Sequence, residues 1–243
     1  MLTGILNGID VERWNPETDP FIGTSYGPDA LSGKATARQV LLETVDLPND
    51  ATARKRPIIG MVSRLTDQKG FDLIAAAAGE LMSLDATWVM LGSGDAVYED
   101  FWRALAARYP KRVSATIGFD ERLAHRIEAG SDMFLMPSRY EPCGLNQMYS
   151  LRYGTLPIVR ATGGLEDTVR DVLEPGGNGF KFKEYSATAL VATVRRALDF
   201  YAKPSEWKKI QQVGMKEDFS WDASAREYVK VYESAAGAAP GEG

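Results

Sequence analysis

The fold is decided by residues 57–84, which read PIIGMVSRLTDQKGFDLIAAAAGELMSL. Residues 58–63 form a short apolar run, typical of a strand that is buried on both faces of a parallel sheet. The alanine-rich segment 71–84 that follows predicts a helix. Polar and charged residues fill the loop between them. This strand, loop and helix therefore indicate the beginning of an α/β crossover unit.

The same unit recurs towards the C-terminus. The predicted strands cover 87–91, 112–117, 132–136 and 156–160, and the predicted helices cover the residues after Asp95 up to about 109, 121–129, 144–153 and the residues from Leu165 onward. Short strands that alternate with helices form a parallel sheet with helices on both faces. With right-handed crossovers, the pattern predicts an α/β fold with a Rossmann-like doubly wound parallel sheet.

The flanking segments differ from this pattern. Residues 1–56 are predicted to be a linker segment with one amphipathic helix over 32–45, and residues 57–236 to be the Rossmann-like domain with its closing helices. Residues 237–243 are small and predict a flexible tail. The closing helices are expected over 186–202, 204–217 and 221–236, with Trp207 and Trp221 as their anchors.

The composition excludes several classes of function. The 243 residues are 44% hydrophobic and 25% charged, which is ordinary for a soluble globular protein, and a net charge of -5 argues against a nucleic-acid partner. A single cysteine, Cys143, excludes an intrachain disulfide framework. The single histidine, His125, is expected to be an ordinary helix residue, which argues against a zinc site or a Ser-His-Asp triad. With no apolar run of membrane-spanning length and no basic leader, we expect a cytoplasmic protein without a membrane partner.

Candidate ligand-binding residues follow the first strand. In a doubly wound sheet the ligand lies outside the carboxyl ends of the strands. Arg64 lies at the end of the first strand and Lys69 lies just before the following helix. Together they predict a diphosphate site, in which arginine offers a fork of donors and lysine a compact charge. The alternative is that both are solvated loop cations.

The loop after the fourth strand is the densest in candidate residues. Glu141 lies just ahead of the predicted helix start, where free backbone N–H groups favour anions. Those N–H groups can hold a phosphate, which leaves Glu141 free to accept hydrogen bonds from sugar hydroxyls. The alternatives are a helix-capping role for Glu141 and a small buried residue at Cys143.

Three further turns at the same edge of the sheet are open to two interpretations each. Residues 92–95 either approach a ligand closely or form a tight turn, and Phe119 either stacks on a base or belongs to the core. The turn Thr162-Gly163-Gly164 either faces a diphosphate or simply begins a helix with Thr162 as its N-cap. No full G-x-G-x-x-G pattern is present, so a dinucleotide fingerprint is not predicted.

Taken in chain order, these segments resemble the bacterial glycogen synthases and plant starch synthases. The resemblance covers nearly the whole chain, and Tyr149 stands where related retaining transferases often carry a second acid, which favours this branch. The segments that carry the resemblance are 6–10, 14–16, 63–70, 138–145, 153–157 and 162–165.

The resemblance implies a GT-B fold, of which this chain would be the C-terminal, donor-binding domain. It implies that Arg64 and Lys69 contact the donor diphosphate and that Glu141 binds the transferred glucose. The other implied donor contacts are Asn7 to the sugar, Phe119 to adenine, the backbone of Cys143, Gly144 and Leu145 to sugar and phosphate, and Thr162 and Gly163 in the same cleft.

The resemblance also implies a reaction. The complete bacterial enzyme would transfer glucose from ADP-glucose to the non-reducing end of an α-1,4-glucan with retention, releasing ADP, without a metal or another cofactor. The resemblance implies that an N-terminal domain outside these residues carries most of the acceptor surface, so we expect the isolated chain to be inactive. A non-catalytic nucleotide-sugar-binding module or a decayed fragment is the alternative function. A sugar-nucleotide epimerase of similar fold is a third, but it needs acid–base residues that the sequence does not offer.

Overall fold

The computed structural model describes residues 3–237 and contains one sheet of six parallel strands. The strands are β1 Ile58–Val62, β2 Thr87–Gly92, β3 Val113–Ile117, β4 Met133–Met136, β5 Leu156–Arg160 and β6 Phe180–Phe182. Their order in the sheet is β3-β2-β1-β4-β5-β6, and every neighbouring pair is parallel. This order is that of the Rossmann fold, so the predicted doubly wound sheet is confirmed.

Helices cover both faces of the sheet. They are α1 Gly33–Thr44, α2 Phe71–Ser83, α3 Ala96–Arg108, α4 Glu121–Gly130, α5 Asn146–Arg152, α6 Gly164–Thr168, α7 Ala187–Tyr201, α8 Pro204–Met215 and α9 Trp221–Gly237. Alternate strand residues face opposite layers: Ile58 packs with α1 and α4, whereas Ile59 packs with α2 and α7. None of the helices within residues 3–237 is long and apolar enough to cross a bilayer.

The sequence prediction differs from the structure at two places in this domain. β6 was not predicted, because it has only three residues and pairs on one side only, with β5. The expected anchoring is confirmed for Trp207, which is buried, but is wrong for Trp221, whose surface is 54% exposed at the start of α9. Apart from Gly237, which ends α9, the predicted tail lies outside the described residues.

The predicted linker segment packs firmly against the sheet domain. Ile22 and Tyr26 are buried with Ala129 and Tyr153, and the Tyr26 hydroxyl donates to the Tyr153 carbonyl at 2.9 Å. The buried ammonium of Lys34 donates to the carbonyls of Ala129 and Tyr153 at 2.9 and 3.0 Å. These contacts tie α1 and the segment before it to the ends of α4 and α5.

We predict that Lys34 makes the stability of the fold depend on pH. Burial lowers the pKa of Lys34 to about 7, whereas the pKa of a lysine in an unfolded chain is about 10.4. Between these values the unfolded chain binds more protons, so stability should rise with pH in this window. Urea unfolding measures the free energy of unfolding of the native protein and of Lys34→Met. From pH 7 to pH 10, this free energy should rise for the native protein relative to the variant. A difference that is constant over this window would contradict the prediction.

Candidate functional site

The strand order creates a crevice between β1 and β4. From β1 the chain moves outwards through β2 and β3, then crosses back to β4 on the other side of β1. The loops that follow β1 and β4 therefore diverge, as at the ligand-binding switch point of doubly wound folds. A cleft of about 470 Å³ lies there. We refer to it below as the donor cleft, because the resemblance implies the donor site at this place.

The donor cleft brings together most of the predicted site residues. The loop after β1, the loop after β4 and the N-terminal segment all contribute to its lining. The lining residues that the sequence analysis predicted for the site are Asn7, Arg64, Lys69, Glu141, Cys143, Gly144 and Leu145. Residues far apart in the chain thus meet at one edge of the sheet, as their positions after successive strands predicted.

Lys69 and Glu141 form an ion pair inside the donor cleft. The Lys69 Nζ lies 2.5 Å from the Glu141 Oε2, and the two side chains are 19% and 7% exposed. The Ser138 hydroxyl lies 3.3 Å from the same carboxylate oxygen, which it can reach as a donor. Glu141 does not cap the helix, because α5 has Leu145 as its N-cap and no side-chain cap bond. The pair leaves one oxygen, Oε1, without a hydrogen bond from residues 3–237.

Arg64 is the uncompensated cation of the donor cleft. Its side chain is exposed and makes no hydrogen bond or ion pair with any residue of the described range 3–237. An arginine with five free N–H donors is suited to bind two anionic oxygens at once. Of the two cations predicted for a diphosphate, Arg64 is therefore fully available, whereas Lys69 already uses one of its three donors on Glu141.

Gly70 allows the two loops to approach each other. It has a φ of 81°, and a Cβ at this position would lie 2.1 Å from the Pro137 carbonyl oxygen. Only glycine fits such a contact with backbone in the left-handed region. The tight turn Asp67–Lys69 ends at Gly70, so this glycine aims Lys69 towards the loop that carries Glu141.

The turn at 162–164 packs against the loop that carries Glu141 and does not itself border the donor cleft. Neither Thr162 nor Gly163 lines the cleft, in contrast to what the resemblance implied. The Gly164 N–H donates to the Glu141 carbonyl at 3.0 Å, and a Cβ on Gly163 would lie 2.2 Å from the same oxygen. The N-cap of α6 is Gly163, without a side-chain cap bond, so Thr162 does not cap it. The turn therefore fixes the position of the loop around Glu141.

We predict that Gly164→Ala destabilises the protein by about 1–3 kcal/mol, as an overpacked contact. The new Cβ would lie 2.0 Å from the Cys143 carbonyl oxygen, so the loop around Glu141 must shift. Gly79→Ala is the matched control. Gly79 is exposed on α2, and a Cβ at this position would have no other atom within 4 Å. That variant should gain about 0.5–1 kcal/mol from helix propensity. Urea unfolding of both variants measures these values, and equal stabilities would contradict the account.

Phe119 lies beside the donor cleft and is 91% exposed. It lines a neighbouring cavity of about 280 Å³ that shares Ser63, Arg64 and Asn146 with the donor cleft. The ring therefore does not belong to the core, which leaves its face free to stack on a planar group. Gly92 also lines this cavity, where a Cβ would lie 1.9 Å from the Ser63 carbonyl oxygen, so that glycine packs the two strand ends together.

Two contributors received no role in the sequence analysis. Asn146 lines both cavities, and its Nδ2 donates to the Val62 carbonyl at 2.6 Å, which ties α5 to the end of β1. Ser138 reaches Glu141, as described above. Their positions could have indicated a role in the site, because Ser138 follows β4 closely and Asn146 begins α5. His125 does not line the donor cleft: its Nδ1 lies 2.7 Å from the Asp19 Oδ2 in a buried contact.

The comparisons with known proteins agree with this fold. Residues 46–212 match the family described as "Glycosyl transferases group 1". The chain is 52% identical to the glycogen synthase of Koribacter versatilis over 236 residues, covering 96% of this chain and 48% of that protein. It is 51% identical to the glycogen synthase of Anaeromyxobacter dehalogenans, covering 97% of this chain and 49% of that protein. Among solved structures, the catalytic domain of Starch Synthase IV from Arabidopsis thaliana, bound to ADP and acarbose, matches with a TM-score of 0.86 at 35% identity, covering 95% of this chain and 48% of that chain. The chain spans about half the length of these relatives.

Proposed function

Because the chain belongs to the family of group 1 glycosyl transferases, we propose that its donor cleft binds ADP-glucose as the C-terminal half of a glycogen or starch synthase. The complete enzyme would transfer glucose to the non-reducing end of an α-1,4-glucan with retention. The observation that carries the proposal is the convergence of Arg64, Lys69 and Glu141 at the switch point of the sheet. The similarity to glycogen synthases and to a starch synthase bound to ADP supports the choice of donor and acceptor.

Arg64 and Lys69 would stabilise the departing diphosphate. When the bond between glucose and ADP breaks, the β-phosphate gains negative charge. Arg64 is already free in the cleft, and Lys69 lies next to it on the same loop. Once the bound donor holds both cations in place, they stabilise the charge that develops as the bond breaks. The proposal assigns no step to a metal or another cofactor.

Glu141 would change its partner when the donor binds. In the free protein its carboxylate pairs with Lys69. A diphosphate that attracts Lys69 removes this partner, and the carboxylate then accepts hydrogen bonds from hydroxyl groups of the glucose. Ser138 remains beside Glu141 and keeps it in position. We assign neither residue the role of a covalent nucleophile.

Phe119 would hold the base of the nucleotide. Its exposed ring lines the cavity next to Arg64, so a diphosphate at Arg64 brings the attached nucleoside within reach of the ring. Stacking on an aromatic ring is worth about 1–3 kcal/mol per base in other nucleic-acid sites and is tolerant of base identity. Asn7, which also lines the donor cleft, would contact the sugar.

The acceptor would be bound largely by the second half of the enzyme. Under this proposal the isolated chain binds the nucleotide but elongates a glucan little or not at all. Its location would be the bacterial cytoplasm, in keeping with one unpaired cysteine. Turnover by the purified chain alone would contradict this part of the proposal.

The direct test of the proposed function is the thermal stability of the chain with ADP. A ligand that binds only the folded state at about 100 times its Kd adds about 2.7 kcal/mol. For a chain of this size, this should raise the Tm by roughly 5–10 °C. Adenosine, which lacks the diphosphate, is the matched control and should raise it much less. An unchanged Tm with both ADP and UDP would reject a nucleoside diphosphate site.

A further inference from the structure

A second cavity, of about 480 Å³, lies at the opposite edge of the sheet from the donor cleft. The segment before β1 and the turn between α3 and β3 form it, just ahead of the strand starts at Ile58 and Val113. A strand of five residues spans about 17 Å, so this cavity is separate from the donor cleft. We call it the basal pocket; its lining includes Pro48, Asp50, Arg56, Tyr109, Lys111 and Arg112.

The basal pocket concentrates positive charge in a chain whose net charge is -5. Three cations, Arg56, Lys111 and Arg112, face one acid, Asp50. Lys111 is exposed and makes no side-chain hydrogen bond or ion pair with any residue between 3 and 237. Arg56 donates only from its Nε, to the exposed Asp85 at 2.5 Å. Its two terminal nitrogens make no hydrogen bond with residues 3–237. Two of the three cations can therefore bind an added anion.

The third cation, Arg112, is held by hydrogen bonds. Arg112 donates to the carbonyls of Met82 and Leu84 at 2.8 and 3.0 Å, and its guanidinium lies 5.4 Å from the centroid of the Tyr109 ring. These bonds hold the guanidinium against the Tyr109 ring, which forms one wall beside Pro110. A ligand with apolar faces can pack against such a wall without ordering new side chains.

Asp50 supplies a fixed acceptor among these cations. Its Oδ1 accepts from the N–H groups of Thr52 and Ala53 at 2.8 and 3.0 Å. These two backbone hydrogen bonds lower the pKa of Asp50, so it is a carboxylate at neutral pH. No residue of the described chain donates to its Oδ2, which is the atom that can accept a hydroxyl from a ligand.

We propose that the basal pocket binds a small phosphate ester of a polyhydroxy compound, such as a sugar phosphate. The phosphate lies between Lys111 and Arg56, and a hydroxyl of the same molecule donates to Asp50. The carbon skeleton packs on Tyr109 and Pro110. This site is independent of the donor cleft, because it uses other residues at the other edge of the sheet.

The first experiment is a titration of the chain with ribose 5-phosphate, followed by calorimetry and by backbone amide NMR. We expect one site, with amide shifts concentrated at 50–56 and 109–112. Neutral ribose should not bind, and inorganic phosphate should bind at least about fivefold more weakly, because it lacks the hydroxyl and the packed skeleton. Shifts confined to 63–70 and 138–145, or phosphate binding as tightly as the ester, would overturn the proposal.

The second experiment compares two variants with the same change of charge. Lys111→Glu should weaken ribose 5-phosphate binding by about tenfold or more, since it removes a charged contact and adds a repulsive one. Lys55→Glu is the matched control: Lys55 is exposed on the same segment but does not line the pocket, and its variant should bind within about twofold of the native protein. Equal weakening by both variants, or no binding up to about 10 mM ester, would overturn the proposal.

Discussion

Arg64→Ala should weaken the binding of ADP by about 10- to 100-fold, the largest effect on ADP binding that we expect from any single substitution in the donor cleft. Arg64 has no partner among residues 3–237, so its donors serve the ligand alone. A hydrogen bond to a charged group is worth about 1.5–3 kcal/mol, and each 1.4 kcal/mol is a factor of ten. Because the free protein makes no bond to Arg64, the variant should unfold at nearly the native temperature.

Calorimetric titration of ADP measures this effect, and Arg195→Ala is the matched control. Arg195 is an exposed arginine on α7, whose contact to Glu80 at 3.3 Å is a surface ion pair of little energetic value. The control should bind ADP as the native chain does. An Arg64→Ala variant with native ADP affinity would remove Arg64 from the phosphate role.

Glu141→Gln should separate the binding of the nucleotide from the binding of the sugar. In the native protein ADP must compete with Glu141 for Lys69, which is held at 2.5 Å. The neutral amide of glutamine binds the Lys69 ammonium more weakly than the carboxylate does, so ADP should bind at least as tightly as to the native chain. The preference for ADP-glucose over ADP should be lost, because the carboxylate that accepts the sugar hydroxyls is gone. In the complete enzyme the rate should fall by about 10²-fold, because the glucose is no longer held in position.

The measurement is a pair of titrations, with ADP and with ADP-glucose, on the native chain and the variant. Glu166→Gln is the control, since Glu166 pairs with Lys181 at 3.1 Å outside the donor cleft. It should leave both affinities unchanged. A Glu141→Gln variant that loses affinity for both ligands to the same extent would show that Glu141 only holds the loop in place.

The parts of the fold that the sequence predicted are those specified by local patterns. β1, β2, β4 and β5 are almost continuous apolar runs, and such runs are buried on both faces in a parallel sheet. β6 has no such pattern: Phe180 and Phe182 become a strand only because β5 offers an edge to pair with. Trp221 shows the same dependence, since a large apolar residue in a helix is buried only if another element covers it.

The site was predictable to the extent that it follows the strand order. Arg64 and Glu141 come after β1 and β4, which are neighbours in the sheet, so their proximity follows from the topology. That Lys69 pairs with Glu141 depends on side-chain positions and on the close contact at Gly70, which no sequence pattern reveals. Gly163 follows β5, one strand further out, where the loop around Glu141 lies between it and the cleft.

A crystal structure of the chain with ADP-glucose tests the central claim most directly. The account predicts that the diphosphate binds Arg64 and Lys69, that the Lys69–Glu141 pair is broken, and that Glu141 accepts hydrogen bonds from the glucose. A structure in which the donor is bound elsewhere while Lys69 and Glu141 remain paired would contradict it.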